Sequence, residues 1–177
     1  MQLVTTIDNA NTTELDVRLA KKGDKDAFVR LIDNNKTSMY RIALSILRNK
    51  HDIEDSIQNT IVKSFQNITY LKKDEYFKTW LIRILINECK NTVTKNKKIV
   101  NLDFIDNTES ISLDSSKLEL TSAINSLEDD LRIVTTLFYF EDIPQKDIAK
   151  LLNIPDGTVR SRLSRARSKL YEVLKDL

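Results

Sequence analysis

Apolar residues recur at intervals of three and four through two long stretches of the chain, residues 24–98 and 122–177. This spacing is typical of helices that bury one face. Between the two stretches, residues 99–121 are rich in Asn, Ser, Thr and Asp and show no sustained period. At the start of the chain, residues 1–13 are polar and aperiodic, which predicts a frayed segment. A short helix is expected to follow from Glu14 to Lys22. The pattern predicts an all-α protein with two small helical domains, joined by a flexible acidic linker.

The first stretch predicts a bundle of four helices that ends near Lys98. Asp24 and Asp52 are expected to cap two of these helices, because their carboxylates can accept the free N–H groups of a first turn. A connector from Thr69 to Glu75 leads into the last helix, which is expected to reach about Lys95. The expected core comprises Phe28, Tyr40, Leu44, Ile57, Ile61, Phe65 and Trp80.

The second stretch ends in a pattern that predicts a helix-turn-helix. A short helix runs into Asn153, a residue type that tolerates the left-handed backbone of a tight turn. The helix after Pro155 has an apolar face at steps of four and three, formed by Val159, Leu163, Ala166, Leu170 and Val173. The rest of its circumference carries four arginines, whose guanidinium groups suit guanine edges and phosphates in the DNA major groove. A solvated face usually mixes both signs of charge, so we favour DNA binding by Thr158, Arg160, Ser161, Arg162, Ser164, Arg165 and Arg167.

Charge is distributed unevenly along the chain. Residues 1–100 carry 18 basic and 12 acidic side chains, residues 101–143 carry 2 and 10, and residues 144–177 carry 8 and 4. Two cationic blocks separated by an anionic block predict two surfaces for a polyanion. The single cysteine excludes an intramolecular disulfide, and no Cys/His set has the spacing of a zinc site. No apolar run approaches the roughly 18 residues that span a bilayer, and the N-terminus lacks a signal-peptide pattern, so a cytoplasmic protein without cofactor or metal is expected.

The helix after Trp80 carries a polar stripe beside a cluster of aromatic residues. The stripe follows steps of four, three and four, and comprises Arg83, Asn87, Lys90 and Thr94. Basic grooves with aromatic platforms hold single-stranded bases. Phe77 and Trp80 are more simply explained as core residues, whereas Tyr70 and Tyr76 remain open to either role.

The helix from Asp52 to Asn67 has a polar side opposite its isoleucines. This side comprises Asp52, Asp55, Asn59 and Lys63, with Glu54 and Gln58 beside them. A patch that begins with acidic residues is a poor contact for DNA but suits a docking protein. A plain solvated face explains the same spacing equally well.

Three segments in this order indicate a family. They are Asp52–Thr60, Phe77–Ile84 and Gly157–Arg167. Together they resemble the extracytoplasmic-function (group IV) sigma factors of bacterial RNA polymerase, over about residues 24–175. The last segment is shared with other helix-turn-helix proteins, and the first two make the resemblance specific.

The resemblance implies a division of labour between the two domains. Residues 24–98 would form a sigma-2-type domain, and residues 122–177 a sigma-4-type domain that recognises the −35 promoter element as duplex. Core polymerase would be bound through its β′ clamp helices and β flap, with the clamp helices contacted by Asp52, Glu54, Asp55, Gln58, Asn59 and Lys63. The −10 element would be melted and read by Tyr70, Tyr76, Lys78, Arg83, Asn87, Lys90, Asn91 and Lys95. The resemblance further implies a stress or envelope response, an anti-sigma factor that is often membrane-anchored, and no small-molecule substrate.

Two other interpretations compete with this resemblance. A stand-alone helix-turn-helix regulator would bind a palindromic duplex without polymerase. An enzyme would need a catalytic constellation, but His51 is the only histidine and lies at a predicted helix start. Cys89 falls on an apolar helix face, and the carboxylates of residues 101–142 are dispersed. An enzyme is therefore disfavoured.

Overall fold

The computed structural model describes residues 3–99, 120 and 122–175, and these residues form helices and no strand. This confirms the all-α prediction. Two single 3-10 turns, Ile68–Tyr70 and Asp74–Tyr76, occupy the predicted connector, and a π-helical stretch, Thr136–Phe140, continues the helix Asp129–Thr135. The predicted linker, apart from Ile99 and Leu120, lies outside the described residues. The main helices are α1 (Leu3–Lys21), α2 (Lys25–Ile46), α3 (Lys50–Asn67), α4 (Phe77–Ile99), α5 (Asp129–Thr135), α6 (Gln145–Leu152) and α7 (Asp156–Leu174), and residues 122–125 form a short helical segment ahead of α5.

Helix α2 lies at the centre of the first bundle and packs against α1, α3 and α4. The chain turns from α1 into α2 at Gly23, whose φ of +96° is a conformation that side chains disfavour. Asp24 then caps α2, as predicted, by accepting the N–H of Ala27 at 3.0 Å. Arg30 on α2 donates to the carboxylate of Asp16 on α1 at 2.6 Å, which ties the two helices together.

Helix α3 packs against α4 through small polar side chains rather than through its isoleucines alone. Ser56, Thr60 and Ser64 are buried at steps of four, and small side chains allow helix axes to approach closely. Their hydroxyl groups are all satisfied: Thr60 donates to the carbonyl of Ser56 at 2.7 Å and Ser64 to that of Ile61 at 2.9 Å. The Ser56 hydroxyl hydrogen-bonds that of Thr92 on α4 at 3.1 Å. The prediction that Phe65 belongs to the core is wrong, because its side chain is 45% exposed and its ring meets that of Phe28 edge-on. Steps of four residues drift by about 40° each around a helix, so Phe65 reaches the rim of the interface.

Two further local predictions are wrong. The segment 1–13 is not frayed throughout, because α1 begins at Leu3; no Gly or Pro interrupts the residues between there and Lys21, so a helix can continue. Helix α3 is capped by Asn49, not Asp52, since the Asn49 side chain accepts the N–H groups of His51 and Asp52. Asp52 consequently lies in the first turn, where a carboxylate interacts favourably with the helix dipole.

The second bundle consists of α5, α6 and α7, and it packs on the first. Helix α7 contacts both α5 and α6, while α5 also contacts α2, and α6 contacts α4. The buried apolar residues of both bundles therefore form one continuous cluster, in which Val134 and Leu137 join residues such as Ile42 and Leu85. Burial along α7 continues to the half-buried Leu170, whereas Val173 is exposed, so the predicted apolar face of α7 is one turn too long.

A buried arginine fastens the two bundles. Arg132 on α5 donates from Nε to the carbonyl oxygen of Ser45 on α2 at 3.0 Å. Its other nitrogens donate to the Leu127 carbonyl at 2.8 Å and to Asp129 at 2.6 Å. A buried guanidinium that satisfies its donors in this way fixes the register of α5 on α2.

Candidate nucleic-acid and protein interfaces

The turn before α7 has the conformation that its sequence predicts. Asn153 adopts φ 57° and ψ 51°, in the left-handed region, and its N–H bonds to the carbonyl of Ala149. Helix α7 then begins directly after Pro155. Its inner face is held by Val159, Leu163 and Ala166, all buried. The outer face of α7 is therefore fixed by packing before any ligand binds.

The outer face of α7 is strongly basic. Arg160 is exposed over 72% of its side chain and lies 3.2 Å from Asp156 one turn earlier. Arg165 and Arg167 are exposed, as are Ser161 and Ser164. These side chains form the face that major-groove binding requires.

Two of the predicted contacts on α7 face the protein more than solvent. Arg162 is 22% exposed, and its Nε lies 3.0 Å from the carboxylate of Asp130 on α5. Thr158 is half-buried, and its carbonyl accepts the hydroxyl of Ser161 at 3.0 Å. Arg162 thus has a structural partner within the bundle.

Helix α4 separates an apolar face from a polar stripe. Leu81, Ile82, Leu85, Ile86 and Cys89 are buried. The opposite side is exposed and comprises Arg83, Asn87, Lys90, Asn91 and Lys95. These five predicted −10 contacts therefore share one surface, whereas Lys78, in the first turn of α4, pairs with Glu141.

The aromatic residues ahead of α4 divide into buried and exposed members. Phe77 is buried and Trp80 half-buried, with their rings 5.9 Å apart. Tyr70 is 77% exposed, and Tyr76 is exposed with the Lys73 ammonium 5.4 Å above its ring. Only the two tyrosines are available to stack on a base.

Two lysines of the predicted −10 surface contact the second bundle. Lys78 Nζ lies 3.1 Å from the carboxylate of Glu141, which is 1% exposed. That carboxylate also accepts from the Arg41 guanidinium at 2.8 Å and from the hydroxyl of Ser38. Lys90 Nζ donates to the carbonyl of Leu152, at the C-terminus of α6, at 3.2 Å. The second bundle thus occupies part of the surface that the −10 strand would need.

The predicted polymerase-binding residues of α3 fall into two groups. Asp52 and Lys63 face α4, where Asp52 accepts from Asn96 at 2.8 Å and Lys63 pairs with Glu88 at 2.6 Å. Glu54, Asp55, Gln58 and Asn59 form the second group and are exposed. Lys63 is also 50% exposed, although it pairs with Glu88. The open acidic and amide patch is therefore smaller than the spacing suggests.

The candidates for enzyme chemistry are placed unfavourably. Cys89 is buried, and burial raises the pKa of its thiol to about 12, so the reactive thiolate is suppressed. His51 is exposed, with Nε2 3.7 Å from Asp55. Within the described ranges no His, Cys, Asp and Glu residues gather as a metal site, and no helix there is long and apolar enough to cross a bilayer.

Sequence reasoning missed the residues that join the bundles. Ser38, Arg41 and Glu141 converge from positions about a hundred residues apart, so no local pattern could associate them. Arg132 lies among apolar residues of α5, and this isolated charge within a buried stretch is the one signal that could have indicated it.

Comparison with known proteins gives consistent matches. The family model "Sigma-70 region 2" matches residues 31–99, and "Sigma-70, region 4" matches residues 117–170. The ECF RNA polymerase sigma factor SigW of Bacillus subtilis (strain 168) is 32% identical, covering 91% of this chain and 96% of the relative. The ECF RNA polymerase sigma-E factor of Haemophilus influenzae is 31% identical, covering 91% of this chain and 94% of the relative.

A solved structure gives the same result for the fold. The sigma factor RpoE from Bartonella quintana, crystallised with the anti-sigma factor NepR, has a TM-score of 0.70 at 26% identity. The match covers 84% of this chain and 96% of RpoE. With both sigma-70 regions in order and a relative matched over nearly its whole length, the chain belongs to the extracytoplasmic-function (ECF) family of RNA polymerase sigma factors.

Proposed function

We propose that this chain directs core RNA polymerase to specific promoters, with α7 on the −35 element and with α4 and the preceding tyrosines on the −10 element. The observation that carries this proposal is the exposed basic face of α7, fixed from behind by buried Val159, Leu163 and Ala166. Its place in a chain that matches SigW over 91% of its length favours a polymerase subunit over a stand-alone regulator. Sigma factors are initiation factors and not enzymes, so the chain is not an enzyme.

The −35 element would be read as duplex by the exposed arginines of α7. A bidentate arginine–guanine contact is worth about 1–3 kcal/mol of discrimination. Arg165→Ala should therefore lower affinity for the upstream element by about 5- to 150-fold, with most of the loss confined to one base pair. Lys175→Ala, which removes an exposed cation at the end of α7, is the matched control and should act weakly at every base. An equal, sequence-independent loss in both variants would refute base contact by Arg165.

The −10 element would be held as single strand along the α4 stripe and the exposed tyrosines. Extruding a base costs a few kcal/mol, and stacking on an aromatic ring returns about 1–3 kcal/mol per base.

The two promoter elements lie about 50 Å apart, roughly one and a half helical turns. The packed arrangement of the bundles holds Lys78 and Lys90 against the second bundle. Promoter binding therefore requires the bundles to separate.

Core polymerase would dock on the exposed patch of α3. Replacing Asp55 and Gln58 by Ala together removes the charge and the amide at its centre without touching the α3–α4 contacts. We expect a fall in affinity for core of at least about tenfold, because truncating central interface residues costs about 1–3 kcal/mol or more. Gln66→Ala, on an exposed position of the same helix, is the control. A loss of helical signal in the double variant would instead assign these residues to the fold.

The proposed setting is the cytoplasm, under the control of an anti-sigma factor, in a stress or envelope response. The matched RpoE structure contains an anti-sigma factor, which supports a partner of this class. Such a partner would act by covering the polymerase-binding or promoter-binding surfaces described above.

The direct experiment is selection of genomic DNA fragments by the purified chain, with and without core polymerase from the organism that encodes it. The proposal predicts enrichment of two-element promoter fragments only when core is present. Enrichment of palindromic fragments by the chain alone, to the same extent with and without core polymerase, would instead identify a stand-alone regulator.

A further inference from the structure

The segment that carries the two exposed tyrosines is anchored to the core at both of its ends. Ile68 and Leu71 are buried before the bend, and Phe77 is buried after it. Tyr70 and Tyr76 project from the two 3-10 turns. The relative position of the tyrosines is therefore set by the backbone between Leu71 and Tyr76.

Helix α1 reaches across to this backbone through its last turn. Lys21 Nζ donates to the Leu71 carbonyl at 2.6 Å and to Asp74 Oδ1 at 2.6 Å. Arg18 Nε, one turn earlier on the same face, donates to Asp74 Oδ2 at 3.2 Å. One ammonium group thus bridges the end of the first 3-10 turn and the start of the second.

The ion pair between Lys21 and Asp74 is more buried than a typical surface ion pair. The side chains of Lys21 and Asp74 are only 22% and 20% exposed, so solvent screens them less than an exposed pair. The hydrogen bond from Lys21, followed by that from Arg18, outweighs the effect of burial and lowers the pKa of Asp74, so the carboxylate stays charged at neutral pH. Exposed pairs contribute little, whereas a partly buried pair with an added main-chain hydrogen bond constrains a loop.

We propose that Lys21 and Asp74 are positioning residues that hold the Leu71–Tyr76 backbone in the shape that presents Tyr70 and Tyr76 to the −10 strand. This inference rests on the proposed function of that surface. Neither residue touches the nucleic acid; the pair lowers the ordering cost of binding by fixing the loop in advance. Helix α1, which lies ahead of the region 2 match at residues 31–99, thereby contributes to promoter recognition.

The decisive variants are Lys21→Met and Asp74→Asn, with Lys21→Arg as the conservative rescue. Lys21→Met keeps the aliphatic stem, which packs, and removes the donor. Lys22→Met, at the exposed position directly after α1, controls for loss of one positive charge. All variants are tested as full chains, alone and bound to core polymerase.

The first measurement is hydrogen exchange, because two amides report the loop directly. The N–H of Leu71 bonds to the Ile68 carbonyl, and the N–H of Tyr76 bonds to the Lys73 carbonyl. In Lys21→Met and Asp74→Asn we expect these amides to exchange about tenfold faster, because the loop regains the conformational freedom of about one residue. The amides of α2 should keep their protection. Unchanged exchange at Leu71 and Tyr76 would overturn the proposal.

The second measurement is affinity of the holoenzyme for a fluorescent single strand. The probe is the non-template −10 strand of a fragment that the wild-type holoenzyme selects. Lys21→Met and Asp74→Asn should bind it about five- to tenfold more weakly, with −35 duplex affinity unchanged and with Lys21→Arg restoring binding. Binding by Lys21→Met equal to that by Lys22→Met would sink the positioning role. If the wild-type holoenzyme does not prefer this strand over a scrambled one, the proposed function itself fails, and the positioning role fails with it.

Discussion

Glu141 is the best place to test whether the two bundles hold each other in the free protein. Its carboxylate is 1% exposed and lies at the end of the π-helical stretch after α5. It accepts hydrogen bonds from Ser38 and Arg41, and pairs with Lys78, all from the first bundle. Glu141→Gln keeps the shape of the side chain but removes its charge.

The expected cost follows from this environment. A hydrogen bond to a charged group contributes about 1.5–3 kcal/mol, but Arg41 and Lys78 are about 40–50% exposed and can recover solvation. Glu141→Gln should therefore weaken the contact between the bundles by about 1–3 kcal/mol, which raises the separated fraction by about 5- to 150-fold.

Energy transfer between dyes on the two bundles measures the separated fraction. Cysteines introduced at the exposed positions Asn34 and Lys175 carry the dyes, since the native Cys89 is buried and its pKa of about 12 keeps it unreactive. Glu141→Gln should lower the transfer efficiency, while Glu172→Gln, at an exposed position of α7, should not. Equal transfer in the two variants would refute the argument that Glu141 joins the bundles.

Three further predictions concern stability. Leu85→Ala, at a fully buried position of α4, should lower the free energy of unfolding by about 2–5 kcal/mol in urea titration; a loss below about 1 kcal/mol would contradict the packing described. Asn153→Ala should lower the free energy of unfolding by about 1–2 kcal/mol, because residue 153 has a left-handed backbone. Asn153→Gly should lower it by less, so a lower melting temperature for the Gly variant than for the Ala variant would contradict this. The pKa of Asp74 is lowered in the folded protein. The charged carboxylate therefore contributes fully to the free energy of unfolding above the ordinary carboxyl pKa of about 4, and this contribution is lost as pH falls through the lower pKa of the folded state. Thermal melts from pH 6 to pH 2.5 should accordingly show a shallower acid loss for Asp74→Asn than for wild type, and identical slopes would contradict the ion pairs with Lys21 and Arg18.

Much of the fold could be predicted because its determinants are local. The two faces of α4 and the basic face of α7 follow from spacing within one helix. Asn153 and Asp24 act within three or four residues of their own positions, as a turn residue and a helix cap. The outcome at Asn49 shows the limit of this reasoning: Asn and Asp are equivalent cap residues, so the sequence offered two helix starts three residues apart.

The remaining features could not be predicted because their partners are distant in sequence. Glu141 meets Arg41 across 100 residues, and Asp74 meets Lys21 across 53. A single sequence carries no periodic signal for such pairs. Buried Thr60 and Ser64 were missed for another reason: hydroxyl groups that bond to their own helix can be buried, whereas composition alone assigns them to the surface.

The central claim is that this chain determines where core polymerase starts transcription, and start-site mapping tests it most directly. Core polymerase is supplied with a genomic promoter library, with and without the purified chain, and the 5′ ends of the transcripts are sequenced. We expect new start sites that share two sequence elements at fixed spacing, and that disappear with the Asp55 and Gln58 double variant while persisting with Gln66→Ala. Identical start sites with and without the chain would contradict the account.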